Sequence, residues 1–140
     1  MKIKVHYKEG SPQLEQFEYG GCVDFYNYED VNLKSGESTM VDTGVAIGIP
    51  DGYDILIFPR SSTFRRYGLL VTNSVGYVDN SYRGSEDYIY VPVLATRDIE
   101  IPKGTRCFQF RLIKRQPNIE FIAADELEYD NRSGNGSTGV

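Results

Sequence analysis

Four stretches of the 140-residue chain carry side chains that can do chemistry. Pro59-Arg60-Ser61-Ser62 ends an apolar run, with Arg65 and Arg66 just beyond it. A strand that stops at a proline and turns leaves consecutive N–H groups free, and an arginine beside them makes an anion site. A capped turn with solvated basic residues accounts better for these residues taken alone, because short motifs recur by chance. Gly76-Tyr77-Val78-Asp79-Asn80-Ser81-Tyr82-Arg83-Gly84 sets an aspartate at the tip of a strand, after a glycine that permits close backbone approach. A carboxylate with a reference pKa of about 3.9 is ionised at neutral pH unless deeply buried, which suits orienting a water or a sugar hydroxyl. Taken alone, the same stretch is a good hairpin turn. Gln109 lies between Phe108 and Phe110 and points opposite to both, either to solvent or into a cleft. In the tail, Arg132 and Gly136-Ser137-Thr138-Gly139 offer a cation, hydroxyls and flexible amides, the parts of a flap that closes on phosphate. By itself that tail reads as a disordered terminus.

Scarcity narrows the chemistry further. One histidine, His6, leaves no material for a multi-histidine metal site, and a Ser-His-Asp triad would need His6 itself to fold back. Cys22 and Cys107 are far apart and make neither a zinc cluster nor a redox pair; two reduced thiols are the expectation. Catalysis would therefore rest on carboxylates, arginines, hydroxyls and backbone amides. The net charge of −5 argues against a general nucleic-acid coat protein. Met1-Lys2-Ile3-Lys4 is not followed by a signal-type apolar stretch and no run is long enough to span a bilayer, so a cytoplasmic location away from membranes is expected.

The elements that must position these residues read as strands. Ile3, Val5 and Tyr7 alternate with polar residues, and Val45, Ile47 and Ile49 alternate up to the turn Pro50-Asp51-Gly52. Ile55 to Phe58, Leu69 to Val71, Val75 to Val78, the Ile89-Val91-Val93 face and Phe108-Phe110-Leu112 follow between turn signals. Ile119 and Phe121 suggest a last short strand, and Ala123 to Leu127 the best short helix. Short strands at this spacing predict an all-β sandwich or barrel. A single domain is expected over 1–130, with a C-terminal arm over 131–140 that has almost nothing to bury.

In their order and spacing the four stretches, with Gly21-Cys22-Val23-Asp24-Phe25 ahead of them, resemble the five motifs of the trimeric dUTPase family (dUTP diphosphatases). Gly21 to Phe25 is similar to the first motif, which usually reads Ala-Gly-Tyr-Asp-Leu. Pro59-Arg60-Ser61-Ser62 matches the second, Gly76 to Gly84 the third, Gly104-Thr105-Arg106 to Gln109 the fourth, and Arg132 with Gly136-Ser137-Thr138-Gly139 the fifth. The resemblance implies a jelly-roll-like β-barrel that forms a homotrimer with shared active sites. It also implies hydrolysis of dUTP to dUMP and pyrophosphate with Mg2+, which limits uracil in DNA. Asp79 would then activate the water that attacks the α-phosphorus and bind the 3′-hydroxyl, and Tyr82 would pack on the deoxyribose. Backbone groups of Gly76, Tyr77 and Val78, with Asn73 nearby, would read uracil. Arg60, Ser61, Ser62 and Gln109 would hold the α- and β-phosphates. Asp24 would reach the metal through water, while Arg132, Ser137 and Thr138 would close over the γ-phosphate.

Two positions depart from the family pattern. Ser81 stands where a second acid is usual, and Asn135 where a phenylalanine normally stacks on uracil. A bacterial and phage subgroup with Pro-Arg-Ser-Ser and a short tail takes its aromatic lid from beside the third motif, where this chain has Tyr88 and Tyr90; Tyr90 is the expected lid. Two other functions are weighed. A dCTP deaminase of the same fold would use a glutamate in the strand after the third motif, but Tyr88 to Leu94 holds no carboxylate. A non-catalytic nucleotide-binding regulatory protein would have no need of Asp79, Ser61, Gln109 and Arg132 together. The resemblance names no regulatory protein partner.

Overall fold

The structure is a computed structural model and describes residues 1–132. Ten strands and one helical turn make it up: β1 (Val5–Tyr7), β2 (Val23–Tyr26), β3 (Val31–Leu33), β4 (Ser38–Ile47), β5 (Tyr53–Pro59), α1 (Thr63–Tyr67), β6 (Leu69–Val71), β7 (Gly76–Val78), β8 (Tyr88–Ala95), β9 (Ile99–Ile101) and β10 (Arg106–Lys114). One four-stranded sheet runs β1-β4-β8-β6, a second runs β2-β10-β5-β7, and β3 pairs with β9 in a separate ribbon. Every strand pair is antiparallel. The two sheets close over one apolar core, giving the expected all-β, jelly-roll-like architecture.

Alternation decides which faces meet. In β8, Ile89, Val91, Val93 and Ala95 are buried while Tyr90 faces out. Across the core, the opposite sheet contributes Ile55 and Ile57 of β5 with Phe25, Phe108 and Phe110; the rings of Phe25 and Phe110 stack at 4.6 Å. The chain turns into the next element after Tyr67 because Gly68 adopts φ +61° and donates its N–H to the Phe64 carbonyl at 2.7 Å. A β-carbon at Gly68 would sit 2.7 Å from Thr96 Oγ1, so glycine is required both for the turn and for the space.

Two sequence expectations are corrected. Ile119 and Phe121 form no strand; residues 115–132 lack regular structure and Phe121 is 90 % exposed. A strand needs a neighbour for its backbone groups, and this chain provides none there. Ala123 to Leu127 forms no helix either, since its apolar side chains find no surface to cover. The helical turn lies instead at Thr63–Tyr67, behind the Ser61-Ser62 turn. Among the described residues no helix is long and apolar enough to cross a membrane.

Phe108, fully buried on β10 opposite Phe25 of β2 and Pro59 of β5, is the natural probe of this core. Phe108→Ala should cost about 3–5 kcal/mol through lost burial and the residual cavity. Chemical denaturation read by circular dichroism checks this; a loss below about 1 kcal/mol would mean the two sheets do not share this core.

Candidate active site

The chemistry-bearing residues gather in three clusters. The first surrounds the end of β5. There Arg60 donates its N–H to the Cys107 carbonyl at 3.1 Å, Thr63 N–H returns to the Arg60 carbonyl at 3.0 Å, and the buried Thr63 hydroxyl donates to Cys107 O at 2.6 Å. These bonds close a tight turn whose middle amides, those of Ser61 and Ser62, donate to no group among the described residues. Gln109 lies beside it, its amide donating to the Pro59 carbonyl at 3.1 Å. Asp24 of β2 is paired in register with Gln109 and takes two guanidiniums, Arg60 Nε at 3.1 Å and Arg106 at 3.3 Å. Two free amides, an exposed serine hydroxyl and two arginines held by one carboxylate form a surface suited to a polyanion.

The second cluster lies at the other end of β5. Gly76 pairs with Ile57 and Val78 with Ile55, so the chain emerges at Asp79 next to the start of β5. A β-carbon on Gly76 would stand 3.0 Å from Ile57 Cβ, which explains the glycine: the two strands approach too closely for a side chain. Asp79 is exposed. Its carboxylate accepts the Ser81 hydroxyl and the Ser81 N–H at 2.8 Å, and these bonds hold its pKa below the ordinary carboxylate value. Ser81, the departure from the usual second acid, thus serves the neighbouring carboxylate. Asn73 is exposed on the connection between β6 and β7, beside Ser74, whose φ of +59° is uncommon for a residue with a side chain.

Tyrosines define the third cluster. Tyr82 donates its hydroxyl to the Tyr88 carbonyl at 2.7 Å, and burial followed by the nearby Asp87 charge raises its pKa, so the phenol stays a neutral donor. Lys8 is ion-paired with Asp42 and sits 4.5 Å from the ring centre of Tyr88, 5.4 Å from Tyr28 and 5.7 Å from Tyr90. Tyr90 keeps 41 % of its surface exposed, so its ring is accessible from outside.

The structure therefore brings Asp24, Arg60, Ser61, Ser62, Arg106 and Gln109 together, and Asp79 with Tyr77, Val78 and Gly76, but it keeps the two groups apart. From Asp54 to Arg60 the chain runs six residues of extended strand, about 20 Å. Arg132 is exposed beyond the last strand, while Ser137 and Thr138 lie outside the described residues.

A family model described as dUTPase matches residues 19–139. The chain belongs to the dUTPase family. It is 41 % identical, over 100 % of its length and 99 % of the relative's, to the SPbeta prophage-derived deoxyuridine 5'-triphosphate nucleotidohydrolase of Bacillus subtilis (strain 168). Its fold matches the Staphylococcus bacteriophage 80alpha dUTPase solved with dUpNHpp, at a TM-score of 0.82 and 21 % identity over 99 % of both chains. A dUTPase mutant from phage phi11 of S. aureus, described as coordinating a structural Mg(II) ion, matches at a TM-score of 0.77 and 19 % identity over 92 % of this chain and 100 % of that one.

Within that family frame, sequence reasoning missed Asp54, a carboxylate buried on β5 behind Asp79 that accepts the Tyr77 hydroxyl and the Asn80 N–H. The available signal was a charged residue inside an otherwise apolar run. It missed the Lys8–Asp42 pair as well, because position 8 and position 42 say nothing of each other in sequence.

Burial pushes the Cys107 thiol up to about 11, against the opposing pull of the Arg60 guanidinium. Cys107 should therefore stay protonated and unreactive at pH 8, while half-buried Cys22 reacts. Iodoacetamide labelling read by mass spectrometry should give one adduct on native protein, at Cys22, and two after denaturation. Labelling of native Cys107 would mean that the end of β5 opens readily.

Proposed function

We propose that the protein hydrolyses dUTP to dUMP and pyrophosphate as a homotrimer whose sites draw on more than one chain. The observation that carries this reading is the span of β5, which sets the anion-binding turn at one end and Asp79 at the other. A water oriented by Asp79 must lie about 3 Å from a phosphorus held at Ser61 and Gln109. About 20 Å of strand lies between the two within one chain, which supports halves that meet across subunits. The uncovered Phe121, Ile122 and Leu127 beyond β10 supply apolar surface for such contacts.

In the assembled site Asp79, ionised through its bonds from Ser81, orients the water toward the α-phosphorus and takes the 3′-hydroxyl. Tyr82 packs on the deoxyribose where an added 2′-hydroxyl would collide. Uracil is read by backbone groups of Gly76, Tyr77 and Val78, with Asn73 alongside. The free amides of Ser61 and Ser62, the Ser61 hydroxyl, Arg60 and Gln109 hold the α- and β-phosphates. Preorganised donors of this kind carry much of phosphoryl transfer, which needs positioning and charge neutralisation more than covalent chemistry. Residues 131–140 act as an arm apart from the 1–130 domain, with Arg132, Ser137 and Thr138 over the γ-phosphate.

The donor set fits a Mg2+ that arrives with the triphosphate. Both oxygens of Asp24 are shared with guanidiniums, and among the described residues no three His, Cys, Asp or Glu side chains are grouped to hold an ion. Mg2+ keeps several waters and takes few protein carboxylates beside substrate phosphates, so Asp24 would meet it through water. When bound, the ion offsets phosphate charge.

Incubation with dUTP or dCTP and Mg2+ tests the reaction. Pyrophosphate from dUTP is expected; ammonia from dCTP indicates the deaminase, and neither product a binding protein. Sharing of sites is tested by complementation. Asp79→Asn and Ser61→Ala should each lose at least about a hundredfold in kcat. Subunits mixed one to one should then recover about a quarter of the sites, since a site is intact when each chain supplies its unmutated half. Two inactive variants that stay inactive after verified subunit exchange would contradict shared sites.

Tyr90 is assigned to the open face of uracil. Tyr90→Ala should weaken a non-hydrolysable dUTP analogue by about tenfold, while Tyr90→Phe keeps the ring and should be nearly silent. Equal affinity in Tyr90→Ala and wild type by calorimetry removes Tyr90 from that role.

A further inference from the structure

Asp54 is a carboxylate where a β-strand would ordinarily carry an apolar side chain. It lies between Tyr53 and Ile55 on β5, and its side chain is 3 % exposed. Burying a charge is costly unless it is fully paired, and aspartate is depleted in strands. Here the pairing is complete: Oδ1 accepts the Asn80 N–H at 2.8 Å and faces Arg115 Nε at 3.5 Å, while Oδ2 accepts the Tyr77 hydroxyl. Two of these partners, Tyr77 and Asn80, flank Asp79 in sequence.

Around that carboxylate the backbone of Asp79 is held on both sides. Before it, Val78 is laddered to Ile55. After it, the Asn80 N–H binds Asp54, and the Asn80 amide donates to the carbonyls of Pro50 at 2.8 Å and of Ile49 and Tyr53 at 3.2 Å. Arg83 adds a bond to Ile49 O at 3.0 Å and one to Asp51 at 2.7 Å, fastening the far side of the hairpin to the same turn. Asp79 itself is exposed, its carboxylate held among the described residues only by Ser81, so these supports set where its backbone stands.

We propose that Asp54 is a positioning residue for the hydrolysis: through the Asn80 N–H and the Tyr77 hydroxyl it fixes where the Asp79 carboxylate stands relative to the phosphorus under attack. The proposal rests on the reading of Asp79 as the group that orients the water. Displacing such a group by about 1 Å costs on the order of a hundredfold in rate, whereas affinity is largely spared, because the phosphate turn lies at the opposite end of β5 and the Gly76–Val78 backbone that reads uracil stays laddered to Ile55–Ile57.

The test compares Asp54→Ala, Asp54→Asn, Tyr77→Phe and Asp79→Asn in the full-length oligomer. It measures kcat for dUTP with Mg2+, the Kd of a non-hydrolysable dUTP analogue, and oligomer size. Asp54→Ala should lower kcat by about tenfold or more with the analogue Kd within about threefold of wild type. Asp54→Asn should regain most of that rate, because its amide oxygen still accepts from Asn80 and its NH2 can donate to the Tyr77 oxygen. Tyr77→Phe, which removes one half-exposed hydroxyl and leaves the fold intact, should fall between them, and it decides the matter if Asp54→Ala does not fold. Wild-type kcat in folded Asp54→Ala, or in Tyr77→Phe where the alanine variant fails, overturns the positioning role. So does a rate loss matched by an equal loss of analogue affinity. Substantial turnover in folded Asp79→Asn overturns instead the reading of Asp79 on which the proposal stands, and is recognised separately because Asp79 itself was changed.

Discussion

Strand β5 is the fixed distance on which the site is built. It is laddered along its whole length to β10, Tyr53 to Lys114 through Pro59 to Phe108, and along Ile55–Ile57 to β7. A strand paired on both edges cannot slide, because a one-residue slip would turn Ile55 and Ile57 out of the core. Its two ends are therefore held apart with little freedom. At one end proline stops the strand and opens the Arg60-Ser61-Ser62 turn; at the other, Asp54 anchors the hairpin that presents Asp79. The Ser61-Ser62 turn and the Asp79 carboxylate are thus kept a strand's length apart within one chain.

Electrostatics divide along the same line. A protein of net charge −5 can still attract a triphosphate if its cations are concentrated where the phosphates go. Asp24 gathers Arg60 and Arg106 at one place, beside the free amides of Ser61 and Ser62. At the opposite end the polar groups are set for neutral donors and one ionised acceptor. Bonds from Ser81 keep Asp79 charged. The bond to Asp54, together with burial, raises the pKa of the Tyr77 phenol, and burial raises that of Tyr82, so both retain their protons. Asp54 is accommodated at the base of the same hairpin because Arg115 faces it and the Tyr77 phenol and Asn80 N–H donate to it.

Much of this is legible in the order of the amino acids. Alternation at Ile89, Val91 and Val93 assigns the buried face of β8, and Pro50-Asp51-Gly52 and Pro59 mark the turns at either end of β5. Asp79, Arg60, Ser61 and Gln109 stand out by type and spacing. The short strands β3 and β9 are not legible, since three residues hold too few alternations to show a period. The periodic apolar residues at Ile119 and Phe121 mislead for the opposite reason: they have strand character without a neighbour to pair with.

Local pattern is written in the chain because side-chain direction and turn chemistry depend on residues a few positions apart. On that basis the sequence alone determined the all-β class, the order of the motifs and the chemical kind of each candidate residue. Only the tertiary structure decided which of those residues are neighbours. Asp24 meets Arg60 and Arg106, Asp54 meets Tyr77, Asn80 and Arg115, and Lys8 meets Asp42 and three tyrosines, all through pairings of strands distant in sequence. Tertiary structure alone also showed that Ser61 and Asp79, close in sequence, stand at opposite ends of one strand, because β5 must remain extended to keep its ladders on both sides.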